Sequence, residues 1–182
     1  MKFFFLSMLS FLFCISSYSQ KKVEIQHANS LEYNEALGKD VRRLIGAVVL
    51  KHEDATLYCD SAYSYPDNSL DAFSNVRIQQ GDSVNIFGQT LKYSGNTRLA
   101  ELQKGVRFID KTTTLTTELL FYDMRAGLAN YPNGGTIVSK QNTLTSQFGY
   151  FNPKKKSYSF KKIIQPIDFL TIQFFSEGRP LF

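Results

Sequence analysis

The 182-residue chain carries 21 basic and 16 acidic side chains, a net charge of +5 that is too mild to indicate nucleic-acid binding. No segment reaches the roughly 18 consecutive apolar residues of a membrane-spanning helix, so we predict no transmembrane helix. The length supports one domain with a modest core.

The first predicted element is a signal peptide. Lys2 precedes a short apolar stretch, residues 3–15, and the small residues Ser17 and Ser19 suit a cleavage site. We therefore predict that residues 1–19 are removed and that the mature chain is exported. Removal takes one basic and no acidic residue, so the net charge falls from +5 to +4.

The two cysteines bear on anchoring and on redox chemistry. A lipid anchor at Cys14 is the alternative to cleavage, but Phe13 stands where lipoprotein processing needs a small side chain. If Cys14 leaves with the signal peptide, Cys59 has no partner for a disulfide or a cysteine metal site. We expect Cys59 to point inward as a small apolar residue, because an exposed lone thiol would oxidise.

The mature chain shows the period-two alternation of half-buried strands. In residues 75–79 and 105–108 apolar and polar side chains alternate. One face then holds Val76, Ile78, Val106 and Phe108, and the other holds Arg77 and Arg107. Threonine-rich residues 112–117 and the many tyrosines and phenylalanines also suit a pleated sheet. The short helix-like stretch 31–37 is interpreted as strand and turn.

A repeat with a period near 29 residues is the strongest pattern in the chain. Four columns recur along the sequence: Leu57, Ile86, Leu115 and Leu144; Phe73, Leu102, Tyr131 and Phe160; Tyr63, Tyr93, Tyr122 and Tyr150; Val48, Val76, Val106 and Thr136. A unit of this size cannot bury its apolar face alone, so the copies must stack. We predict an all-β, elongated, repeat-built domain of antiparallel strands over residues 20–162, whose edge strands are open to pairing.

Within this pattern the residues resemble a known family. Leu-x-Tyr, a turn and Gly-x-Val-x-apolar occur at 91–93 and 105–108, and residues 115–122 repeat the strand pattern. Together they resemble the OstA-like (organic solvent tolerance) family of lipopolysaccharide-transport proteins. Residues 51–62 look most like the version found in Bacteroidetes-type bacteria.

The resemblance implies a fold, a ligand and partners. The fold is a β-jelly roll shaped like a partly open taco, whose apolar interior receives acyl chains of lipopolysaccharide or another acylated glycolipid. Such modules join other jelly-roll transport modules by strand addition in the periplasm, with an association with the outer membrane and a role in its assembly. The inward residues that would contact lipid are Val48, Leu50, Leu57, Val76, Ile78, Ile86, Val106, Phe108 and Leu115. For any one of them alone, ordinary core packing is the better interpretation.

The last residues, 163–182, depart from the pattern. They show no further Leu-x-Tyr or turn in place, so we predict an irregular tail, a truncated repeat. The apolar run 169–175 near this end predicts self-association into a homo-oligomer through an exposed terminal strand.

Catalytic motifs are missing from the sequence, and we expect neither an enzyme nor a cofactor. The densest polar group is His52-Glu53-Asp54 with Asp60, which we interpret as a solvated turn rather than an acid–base or metal site. His27 has no neighbours that suggest a ligand set.

The sequence favours one function over two others. A non-enzymatic lipopolysaccharide-binding module in the periplasm leads, and a structural or adhesive surface repeat protein with a closed dry core is the alternative. A secreted carbohydrate-active enzyme on a β-helix is disfavoured because successive repeats align no carboxylates. Arg77, Arg107, Lys104 and 154–156 could meet lipid phosphates, but we favour a role in solubility.

Overall fold

The computed structural model describes residues 22–33, 36, 38–139, 142–153, 155, 157–162, 171–176 and 179–181. These residues form one antiparallel sheet. Its strands are β1 (Glu24–His27), β2 (Ser30–Tyr33), β3 (Arg42–His52), β4 (Ala55–Ser64), β5 (Leu70–Gln80), β6 (Val84–Ser94), β7 (Leu99–Asp110), β8 (Thr113–Asp123), β9 (Leu128–Tyr131), β10 (Gly135–Ser139), β11 (Thr143–Ser146), β12 (Gly149–Asn152), β13 (Ser157–Lys162), β14 (Thr171–Ser176) and β15 (Arg179–Leu181).

The six long strands β3 to β8 pair in sequence order, and each of these pairings is interrupted near its middle by a register shift. On β3, β5 and β7 the interruption includes two successive residues with positive φ: Gly46 and Ala47, Ser74 and Asn75, Lys104 and Gly105. Such β-bulges bend a strand. Because the bulges lie side by side, the whole sheet folds over along one line.

The fold divides the long strands into two half-sheets. Half-sheet 1 contains residues 48–59, 76–88 and 106–117, continued by β10 and β11. Half-sheet 2 contains residues 42–45, 61–73, 90–103 and 119–131, continued by β12 to β15. At the other end β1 borders half-sheet 1 and β2 borders half-sheet 2. This arrangement confirms the predicted all-β jelly roll with the shape of a taco.

Alternation along each half-strand sorts side chains into an inner and an outer face. In β8 every second residue from Thr113 to Thr117 is buried, and after the bulge Leu120 and Tyr122 are buried. The inner faces of both half-sheets pack against each other: the Phe108 ring lies 5.4 Å from the Tyr122 ring, centroid to centroid. One continuous apolar core therefore runs along the fold.

Two of the repeat columns do not keep to one face of the sheet. Phe73 is 39 % exposed on the outer face, whereas its neighbour Ala72 is fully buried and lies in register with Leu91. Tyr63 pairs with Asp71 on the outer face, and Tyr150 is 38 % exposed. A slip of one residue moves a side chain to the opposite face of a strand. The inner positions belong to Ala72, Ser64 and Phe151 instead.

The other two columns lie inside with one exception. Leu57, Ile86 and Leu115 are buried, and Leu144 packs against the core from β11. Val48, Val76 and Val106 are buried as well. Thr136 lies on the outer face, because Ile137 of β10 takes the inner position opposite Leu115.

Several predictions concern the ends of the chain. The predicted signal peptide, residues 1–19, lies outside the described residues, and the domain limits stay predictions. Residues 163–182, predicted as an irregular tail, include β14 and β15, and the rest of that range lies outside the described part. Among the described residues no helix is long and apolar enough to cross a membrane.

Candidate functional site

All nine side chains predicted to face inward are buried. Each is between 0 and 7 % exposed, and all lie on the inner face of half-sheet 1: Val48, Leu50, Leu57, Val76, Ile78, Ile86, Val106, Phe108 and Leu115. Arg77 and Arg107 lie on the outer face, as the alternation predicts. The nine side chains therefore share one buried face, and their contact with lipid stays a prediction.

The interior between the half-sheets is filled by side chains. Phe108 packs edge to face against Tyr122 and Phe151, with ring centroids 5.4 and 5.5 Å apart. A cavity of about 30 Å³ remains between Leu57, Tyr93 and their neighbours. By this measure one water molecule needs about 10–15 Å³, so the cavity has room for about two. In this conformation the described interior has no room for an acyl chain.

The two half-sheets meet again along a seam opposite the line of bulges. On one side of the seam lie the turns of half-sheet 1, residues 53–54, 81–83 and 111–112. On the other side lie the turns of half-sheet 2, of which 95–98 and 124–127 face them most closely. Any molecule entering the interior from the side has to pass this seam.

Polar side chains close the seam at its N-terminal end. His52 Nδ1 lies 2.6 Å from the Tyr93 hydroxyl, and the two rings meet edge to face. One residue further along the chain, Glu53 forms an ion pair with Arg98. Both partners of this pair are about a quarter to a third exposed, so it contributes roughly 0–1 kcal/mol to closure.

Gln80 closes the middle of the seam with both ends of its amide. Its Oε1 accepts a hydrogen bond from the Tyr122 hydroxyl at 2.8 Å, and its Nε2 donates to the Met124 carbonyl at 3.0 Å. Nε2 also donates to Asp54 Oδ2 at 3.1 Å, on its own side of the seam. A neutral hydrogen bond of this kind contributes about 1 kcal/mol. The seam is thus held by a few weak contacts.

A recess of about 410 Å³ lies beside Gln80 at the same seam. It is bordered by Asp110 and Lys111 from half-sheet 1 and by Tyr122 and Pro153 from the other side. Directly beneath it lie the rings that fill the interior, because Tyr122 contacts Phe108. The recess therefore lies at the seam, beside the rings of the core.

Burial shifts the titration of several groups near the core. It raises the pKa of the Tyr93 hydroxyl to about 12, and it raises the pKa of Tyr122 and of Tyr131 in the same direction. Burial also raises the pKa of the Cys59 thiol to about 12, with a smaller contribution from Asp60. Cys59 is buried, as predicted, and at neutral pH these groups stay protonated.

The acidic turn has structural partners. Glu53 and Asp54 make the seam contacts above, and Asp60 lies at the line of bulges, where it accepts a hydrogen bond from Asn75 at 2.7 Å. His27 Nδ1 lies 2.9 Å from the Ala47 carbonyl. The described residues include no group of three or more His, Cys, Asp or Glu side chains that could hold a metal ion.

The seam does not follow from the repeat pattern of the sequence. Its pairs, His52 with Tyr93, Glu53 with Arg98 and Gln80 with Tyr122, are 41 to 45 residues apart. That distance is about one and a half repeats, so the partners occupy different positions of the repeat. Only a search for complementary polar residues at the ends of non-adjacent strands could have found them.

Comparisons with known proteins agree with this architecture. The sequence profile of the family described as OstA-like protein matches residues 20–167. Among solved structures the chain is similar to LptH of Pseudomonas aeruginosa, the LptA homologous periplasmic component of its lipopolysaccharide transport device. The match has a TM-score of 0.53 and 17 % identity, and it covers 61 % of this chain and 82 % of LptH. Among curated proteins no relative matches the chain.

Proposed function

The chain belongs to the OstA-like protein family, and from this we propose that it is a non-enzymatic periplasmic module of lipopolysaccharide transport. Its cargo would be lipopolysaccharide or another acylated glycolipid, with the acyl chains held between the two half-sheets. The observation that carries the proposal is the continuous apolar inner face that repeats along the folded sheet. The likeness to LptH supports the fold on which such a path depends.

Binding of an acyl chain requires the half-sheets to separate. The closed interior has a cavity of only about 30 Å³, which is too small for an acyl chain. Once the half-sheets separate, each CH2 group of the chain that is buried between them would contribute about 0.8 kcal/mol to binding. The bulges provide the axis of this motion and the seam provides the opening. We infer that acyl chains enter at the recess beside Gln80 and that the seam contacts to Arg98 and Tyr93 open after it.

Partners and location follow from the same proposal. The edge strands β1 and β2 at one end of the sheet offer backbone groups for strand addition by other jelly-roll modules. Export by the predicted signal peptide would place the chain in the periplasm, with an association with the outer membrane and its assembly. A homo-oligomer and a Bacteroidetes-type origin stay predictions.

Site-specific photo-crosslinking tests the proposal. A small diazirine amino acid of leucine size would replace Ile86 or Leu115 on the inner face, and Ile109 or Leu119 on the outer face. All four positions are aliphatic, so the substitution is conservative at each. Irradiation with purified lipopolysaccharide is expected to crosslink the two inner positions and to spare the two outer ones.

The opposite result favours the alternative function. If a folded protein gives no crosslink from Ile86 or Leu115, the interior is a dry core and the chain is a structural or adhesive repeat protein. The observation that favours this alternative is that side chains fill the interior. Equal crosslinking from Ile109 and Leu119 would indicate unspecific contact with lipid aggregates and would also count against transport.

A further inference from the structure

Aromatic and arginine side chains alternate across four adjacent strands on the outer face of half-sheet 1. The register places Tyr58 beside Arg77, Arg77 beside Phe87, and Phe87 beside Arg107. Arg77 Cζ lies 5.4 Å from the Tyr58 ring centroid and 5.8 Å from that of Phe87. Arg107 Cζ lies 5.1 Å from the Phe87 centroid. These are cation–π distances, so the rings hold both guanidinium groups in place.

Within the described part of the chain, no carboxylate neutralises either guanidinium. Arg77 donates from Nε and Nη2 to Asn85 Oδ1, at 3.1 and 2.8 Å, and from Nη2 to Gln79 Oε1 at 3.2 Å. Both acceptors are uncharged amides. The ion pairs found among the described residues involve other arginines. Arg77 and Arg107 thus place two positive charges without an ion-pair partner on either side of Phe87.

The two arginines border a trough of about 780 Å³. This volume falls in the range of sites for small molecules, roughly 300–1,000 Å³. The trough also presents hydroxyl and amide groups that suit a polar ligand: Gln89, Thr116, Asn133 and Thr136. Glu118 lies at its border and accepts a hydrogen bond from the Gly105 backbone at 3.2 Å.

In place of the role in solubility that the sequence favours for Arg77 and Arg107, we propose that this trough binds a phosphorylated saccharide chain. The planar fork of a guanidinium matches two phosphate oxygens, and aromatic rings beneath it fix the fork in orientation. Hydroxyl and amide side chains beside the arginines suit the hydroxyl groups of a sugar. A protein partner is disfavoured, because a stable protein interface needs a larger surface with an apolar centre.

The site is separate from the interior. Arg77 and Arg107 point away from Ile78 and Phe108, their neighbours in sequence, because successive residues of a strand face opposite sides. The proposal therefore goes beyond the proposed function and does not depend on acyl chains. A ligand without acyl chains can test it even if photo-crosslinking of the interior fails.

Calorimetric titration of the full chain tests the site. The probes are a phosphorylated glucosamine oligosaccharide without acyl chains, its dephosphorylated form and inorganic phosphate. Arg107→Gln is expected to weaken binding of the phosphorylated saccharide about tenfold, and Arg107→Lys to restore part of the loss. Arg107 is exposed and its described contact is with the Phe87 ring, so the variant should fold. Lys92→Gln, an exposed charge on half-sheet 2, is the matched control and should bind normally.

Four results would overturn the proposal. They are no binding of the phosphorylated saccharide, equal binding of its dephosphorylated form, equal binding of inorganic phosphate, and an unchanged affinity in Arg107→Gln. Tighter binding of an acidic peptide, lost in Arg107→Gln, would assign the trough to a protein partner instead. None of these results changes what is expected from crosslinking at Ile86, so each proposal can be refuted without the other.

Discussion

If closure of the seam opposes lipid uptake, removal of a single seam contact should increase uptake. Tyr122→Phe removes the hydroxyl that donates to Gln80 Oε1 at 2.8 Å, and it leaves the ring that packs against Phe108. The lost hydrogen bond contributes about 1 kcal/mol to the closed form. This shifts the ratio of open to closed molecules by about fivefold.

The apparent affinity for lipid should rise by the same factor. When the binding-competent form is a minor population, the apparent dissociation constant is the intrinsic constant divided by that population. We therefore expect Tyr122→Phe to bind fluorescently labelled lipopolysaccharide about fivefold more tightly in an equilibrium titration. Its free energy of unfolding should fall by about 1 kcal/mol in urea.

Tyr65→Phe is the matched control. Its hydroxyl donates to Asp71 Oδ2 at 2.9 Å, but both residues belong to half-sheet 2, so the bond does not cross the seam. This variant also loses a hydrogen bond from a tyrosine hydroxyl, here to a carboxylate, and should bind lipid like the wild type. Control of uptake by the seam is refuted if Tyr122→Phe binds no more tightly than Tyr65→Phe while both are folded.

Three further predictions concern closure and the core. In a Cys59→Ala background, a short bis-maleimide link between Glu53→Cys and Arg98→Cys should abolish lipopolysaccharide binding, because it joins the two sides of the seam. Phe108→Ala should lower the free energy of unfolding by about 3–5 kcal/mol in urea titrations, whereas Phe121→Ala, at an outer position that is 39 % exposed, should change it little. Burial raises the pKa of Cys59 from 9.0 to about 12, so the stabilisation linked to this shift is complete below pH 9 and is lost as the pH rises towards 12. The stability difference between wild type and Cys59→Ala should narrow over that range.

Each of these three predictions can be contradicted by a specific result. A link between Arg98→Cys and Arg125→Cys, which both lie in turns of half-sheet 2 and border a small cavity at the seam, should leave lipid binding intact. If this pair blocks binding as fully as the link to Glu53→Cys, the seam is not the path. An equal loss of stability in Phe108→Ala and Phe121→Ala would contradict the inner and outer assignment. A native Cys59 that reacts at neutral pH as fast as the unfolded chain would contradict its burial.

The inner face was predictable because it depends on local alternation. Val76 and Ile78 differ from Arg77 only in parity along one strand, and the structure keeps that parity from the bulge to the end of β5. The face on which each side chain of a half-strand lies can therefore be predicted from the sequence without knowledge of the neighbouring strands.

The repeat pattern does not carry across the bulges. Leu102 lies four residues before Val106, but Phe73 lies only three residues before Val76, so the two columns cannot both keep one spacing. The structure resolves the conflict by placing Ala72, not Phe73, opposite Leu91. An alignment of apolar residues selects Phe73 because it is larger and more apolar, whereas the strand register places the small Ala72 on the inner face. Bulge geometry, with Ser74 and Asn75 at positive φ, has no distinct pattern in this sequence.

A filled core is compatible with a lipid carrier because of where the polar interactions lie. Among the described core residues the buried polar side chains are Thr113 and Thr117, and the other buried side chains are aliphatic, aromatic or, at Cys59, a thiol. When an acyl chain enters, the inner side chains exchange apolar contacts with each other for apolar contacts with the acyl chain. Neither arrangement removes a polar group from water. The main specific interactions that opening breaks are then those of the seam, such as the hydrogen bond from Tyr122 to Gln80. Because these interactions are few and weak, small changes there should control uptake more strongly than large changes of shape in the interior.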